Sequence, residues 1–118
     1  MAAPAQAAFF CLSVPGTVPG FQRGGIQVLN NEMIQVFFGS GEDEILVRKA
    51  AGSADISGDY NVYAETGTLT AGQLEIAVKG SEGLVHVATW TDGGYSYAVD
   101  ASAGLSEDAL STLIAAVR

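Results

Sequence analysis

The chain has 118 residues, 48% hydrophobic and 15% charged, which is enough apolar material for one packed domain and too little charge for a disordered chain. Thirteen acids against five bases leave a net charge of −8. Arg23, Arg48, Lys49, Lys79 and Arg118 are dispersed, so the clustered cations that nucleic acid or an anionic membrane requires are missing.

Residues 1–118 read as one domain, with residues 1–12 as a non-native or truncated lead-in. Within that lead-in, 5–12 read as the stub of a helix. No basic segment precedes a long apolar run, and Phe10 stands where lipoprotein attachment at Cys11 needs a small residue, so no leader is read here. No stretch reaches the roughly 18 apolar residues of a membrane span. "SVPGTVPGF", 13–21, holds two Pro-Gly turns. A strand is expected over 25–29, with Ile26 and Val28 pointing inward. Asn30 and Asn31 offer a turn, and 33–38 form a second strand with Ile34, Val36 and Phe38 on one face. After the loop 39–43 comes a third strand, 44–50, completing a meander. "DISGDYNVY", 55–63, is followed by a short edge strand over 61–65. Residues 73–79 alternate cleanly, with Leu74, Ile76 and Val78 on one side and Gln73, Glu75 and Lys79 on the other, as in a sheet with one wet face. The 80–83 loop leads into 84–91, apolar on both faces and therefore central. Asp92-Gly93-Gly94 signals a hairpin, and 95–101 form the last strand. Ser106 caps a C-terminal helix whose first turn carries Glu107 and Asp108. Leu105 is placed to staple onto Leu110, and Ala109, Leu110, Leu113, Ile114 and Val117 make one apolar stripe. The expected fold is α+β: a single, mainly antiparallel sheet of about six strands with the C-terminal helix packed on one face.

Reactive constellations are few. Asp55, Ser57, Asp59 and Asn61 alternate like calcium ligands. However, the sixth and twelfth positions of such a loop are Tyr60 and Thr66, where glycine and a bidentate Glu are needed. The preferred reading is a structural loop of Asp55, Ser57, Gly58, Asp59 and Tyr60 bonding its own backbone; an irregular calcium site is the competing one. His86, the only histidine, lies mid-strand with no nucleophile–glycine signature in the chain. Cys11 has no nearby base to lower its pKa, and one Cys with one His cannot build a zinc site. "GSGEDE", 39–44, lacks the lysine of a phosphate loop. The acid pairs Asp43/Glu44 and Glu107/Asp108 read as solvated loop and helix-start residues rather than glycosidase carboxylates. No cofactor is implied, and no catalytic or metal-binding residue is assigned.

One surface stands out. Strand alternation puts Met33 and Phe37 opposite the helix, joined by His86 and Trp90 or by their strand neighbours. An apolar second face must be covered or used. A longer N-terminal segment could lie over it, or it could serve dimerisation or contact with the rest of a parent protein.

"VPGTVPGF", "ILVRKAAGSADISGDYNVY" and "VATWTDGGYSYAVDASAGLSEDALSTLI" together resemble an uncharacterised family of bacterial extracytoplasmic domains. These are found as C-terminal parts of secreted or membrane-anchored proteins of Gram-positive bacteria, some beside anti-sigma-factor-like segments. Arg48-Lys49, Asp55 to Tyr60, Trp90, Tyr95 to Tyr97 and Ser106-Glu107 carry the likeness, which runs from about Pro15 onward. The opening residues depart from it, since related chains carry a fuller helix before the proline turns. The resemblance implies an extracytoplasmic setting, a noncatalytic role and no known activity. The expectation is a noncatalytic binding or sensory domain for a protein or cell-envelope ligand, part of a membrane-anchored regulator, with no nucleic acid and no direct membrane insertion by this chain. Two alternatives stand beside it: a small hydrolase using acids near Asp55 and Asp59 with His86 as base, and a structural module of a larger surface protein.

Overall fold

The computed structural model describes residues 12, 14–15, 18, 20–29, 33–52 and 63–117. Seven strands and one helix follow in order: β1 (Gln22–Leu29), β2 (Met33–Ser40), β3 (Asp43–Ala51), β4 (Glu65–Ala71), β5 (Leu74–Ser81), β6 (Leu84–Asp92), β7 (Tyr95–Leu105) and α1 (Glu107–Ala115). They form one antiparallel sheet in the order β1-β2-β3-β7-β6-β5-β4. The α+β class stands, and the sheet has seven strands rather than about six.

The architecture is two meanders, β1-β2-β3 and β4-β5-β6-β7, joined where β7 pairs with β3. Two-residue turns close the β2–β3, β4–β5, β5–β6 and β6–β7 hairpins, and Glu82 and Gly83 both have φ > 0, as a primed turn requires to match the twist of its strands. The chain must then pass from β3, next to the centre, to β4 at the far edge. That is four strand spacings, or about 19 Å. Residues 52–64 make this crossing. It leaves the sheet where Ser96 Oγ donates to the Gly52 carbonyl at 2.6 Å and Gly52 N–H donates to the Gly94 carbonyl at 2.9 Å. It re-enters at Glu65, whose carboxylate accepts from Gly83 N–H at 3.0 Å. The Asp55–Tyr60 loop and its competing calcium reading lie outside the described residues, as does Cys11.

Register defines the two faces. Ile26, Val36, Val47, Val99, Ala88 and Val78 are successive partners across β1-β2-β3-β7-β6-β5. From β2 to β6 this row is buried, and Leu110, Leu113, Ile114 and Val117 of the helical end close over the same cluster. Leu12, with Val14 and Val18 partly buried, packs there too. Ile34, Val36 and Phe38 share the core face as expected, as do Ile76 and Val78. Ala109 falls outside the buried stripe and is exposed.

Ser106 begins the helix because its extended backbone lets Oγ accept from Ala109 N–H at 3.2 Å. Ser106→Ala leaves that amide without its side-chain acceptor. The expected loss is about 1 kcal/mol, against a few tenths for Ser106→Gly, read as a shift in the urea midpoint with an unchanged slope.

Candidate functional site

The face opposite α1 is built by the alternate residues of the same strands. Gln35, Arg48, Ala98, Thr89, Ala77 and Thr68 form one row of register partners across β2-β3-β7-β6-β5-β4. Phe37, Leu46, Asp100, Val87, Lys79 and Thr66 form the next. On this face Ser96, Ala98 and Val87 are each 2% exposed or less. Among the described residues no helix or strand layers over this face. Its charges mix Arg48 and Lys79 with Glu44, Glu75 and Asp100, a near balance in a chain of net −8.

A chain of side-chain hydrogen bonds crosses β1-β2-β3. Arg48 Nε donates to Gln35 Oε1 at 2.9 Å, and Gln35 Nε2 donates to Gln27 Oε1 at 2.6 Å. Gln35 is 5% exposed, so its amide is fixed with the oxygen toward the guanidinium. Half-buried Phe37 and Leu46 face each other one row away.

Of the expected surface residues, Met33 and Phe37 lie on this face and are half-buried. Trp90 does not. It is 5% exposed on the helix side and stacks on Tyr97 at 5.3 Å with the rings 1° from parallel. Its neighbours Thr89 and Thr91 occupy the open face instead. His86 lies at a β-bulge, where Lys79 pairs with Val87 but Gly80 already pairs with Val85. Its Nδ1–H donates to the Ala101 carbonyl at 3.1 Å, and its ring stacks on Tyr63 at 5.7 Å. β7 bulges at the same level, passing from Asp100 to Leu105 while β6 passes from Val87 to Val85. The imidazole is thus a wedge between two irregular strands, with a backbone carbonyl and a tyrosine ring as its described partners. Glu107 and Asp108 are exposed in the first turn of α1, and Asp43 and Glu44 are exposed at the start of β3.

Sequence reasoning missed two features. The Arg48–Gln35–Gln27 chain follows from alternation once register is known, because Gln35 shares parity with Phe37. Buried Lys49 is the other: 7% exposed on the helix side, its Nζ lies 4.5 Å from the Tyr95 ring centroid and 5.4 Å from that of Tyr97. An open depression lined by Gly52, Leu74, Glu75, Asp92 and Gly94, among others, lies at the hairpin ends. Among the described residues no three His, Cys, Asp or Glu gather to hold a metal ion, and no helix is long and apolar enough to cross a membrane.

No family model matches the chain, and neither the curated proteins nor the solved structures yield a match.

Proposed function

We propose that this chain is a noncatalytic binding domain that takes a protein or cell-envelope ligand on the open face of its sheet. The observation behind this reading is the pre-oriented Arg48–Gln35–Gln27 chain beside Phe37 and Leu46, on a face that no described element covers. Side chains held before binding lose little entropy on contact, and arginine with aromatics concentrates interface energy. The near balance of charge on that face fits a mixed polar surface better than a polyanion. The extracytoplasmic setting, as the sensory end of a membrane-anchored regulator, rests on the motif resemblance alone.

The test is site-specific photocrosslinking in cells. A photoreactive phenylalanine analogue at Phe37 or Leu46 is expected to give one discrete adduct. Arg48→Glu should abolish it, and the same analogue at Ala115 on the outer side of α1 should give none. Adducts at Ala115 but not at Phe37 or Leu46, or adducts at none of them, would refute the open-face reading. So would a hydrolytic activity toward model esters that falls with His86→Gln.

A further inference from the structure

The two edges of the sheet are built differently. At β4 the helix-side residues are Glu65, Gly67, Leu69 and Ala71, of which Leu69 and Ala71 are half-buried, and α1 approaches this strand. At β1, Ile26 is 53% exposed and Val28 46%, two of the three exposed large hydrophobics among the described residues. Both share the helix-side face with the core, since Ile26 pairs with Val36 and Val28 with Ile34. Val36 and Ile34 are buried. The apolar layer therefore runs on to the last strand, while its cover ends one strand earlier, and the expectation of an inward Ile26 and Val28 is met in direction but not in burial.

Among the described residues β1 pairs with β2 alone, so no described strand takes up its outer N–H and C=O groups. Edge strands are normally blunted by lysine, proline, inward charge or a bulge. The one irregularity of β1 falls between Arg23 and Ile26, and Ile26 to Leu29 stay in unbroken register with β2. No proline, lysine or acid interrupts that run.

We infer that a second copy of this chain docks on β1, strand against strand about a twofold axis. Charge selects this occupant. A chain of net −8 repels its own copies, yet neither β1 nor β2 contains an acid, and β1 holds only the base Arg23. Two copies can meet here without opposing carboxylates. Antiparallel pairing lets each copy offer the same donors and acceptors to the other. It also merges Ile26 and Val28 of both copies into one apolar strip continuous with Ile34 and Val36. This inference does not depend on the open-face reading: it uses the outer backbone edge and the helix-side residues of β1, whereas that reading uses only Gln27 of this strand, on the opposite face.

Sedimentation equilibrium of the full chain over a concentration series tests it. A single strand pair is a small interface, so a dissociation constant on the order of 10 µM or weaker is expected. Ile26→Lys with Val28→Lys sets four ammonium groups against one another and should weaken the dimer on the order of a hundredfold. Ile26→Thr with Val28→Thr keeps β propensity and should weaken it in the same direction, which separates lost pairing from lost folding. Thr68→Lys on β4 should leave it unchanged, and outward β1 amides should exchange more slowly as concentration rises. A monomer up to about 1 mM overturns the inference. So does a monomer whose β1 amides are protected at every concentration, since another part of the same chain would then occupy the edge. A dimer sensitive to Phe37→Asp but not to the β1 variants also overturns it.

Discussion

Replacing Gly80 by alanine is expected to destabilise the domain by about 3 kcal/mol or more, from one added methyl group. A Cβ built at Gly80 would stand 1.8 Å from the Leu84 carbonyl oxygen, 2.9 Å from its carbon and 3.0 Å from Val85 Cα. These are backbone atoms, so no rotamer change relieves the overlap. The strands can separate only by breaking the β5–β6 ladder where it already absorbs the bulge at His86. Urea titration reads the effect: with a slope of about 2 kcal/mol/M the midpoint should fall by roughly 1.5 M. Gly72→Ala is the control. Gly72 has φ +60 and nothing within 4 Å of its hypothetical Cβ, so it should cost only about 1 kcal/mol, from backbone strain. Equal losses at the two sites would show that crowding at Gly80 is not what matters.

Lys49→Glu should be comparably damaging, at about 3 kcal/mol or more, whereas Lys49→Met should stay within about 1.5 kcal/mol of the parent. The ammonium lies over the electron-rich faces of Tyr95 and Tyr97, which attract a cation. A carboxylate there would meet the same faces with the wrong sign and lose its water as well. Methionine keeps the apolar stem that fills the space between Ile34 and Tyr97, its register partners, and gives up the cation–π attraction together with the cost of burying a charge. Thermal denaturation of the two variants decides the matter. A methionine variant as unstable as the glutamate one would mean that the ammonium itself holds this corner.

Where hydrophobic period and turn chemistry agree, the fold could be read from the residues. Ile34-Val36-Phe38, Leu74-Ile76-Val78 and the Ser106-capped helix all took their expected faces. Strand β4 was read short and early because "ETGTLTA" has one large apolar residue, Leu69, and its pairing is set by β5 rather than by its own pattern. Whether Trp90 or its strand neighbours take the open face was left undecided, because β6 is apolar on both sides and alternation alone has no phase. The bulge at His86 sets that phase, and it depends on Gly80 lying opposite. The burial of Lys49 was not legible, because packing a lysine against tyrosines 46 and 48 residues away requires the β3–β7 pairing. The open-face polar chain needed the same long-range register: Gln27, Gln35 and Arg48 are unremarkable singly and meet only across three strands.

That same seam has a consequence for how the chain matures on the ribosome. The final strand synthesised, β7, is the one inserted at the middle of the sheet, between β3 and β6. Without it, β1-β2-β3 and β4-β5-β6 have no strand pairing that joins them. A polypeptide stopped before β7 would therefore lack its keystone rather than its tail.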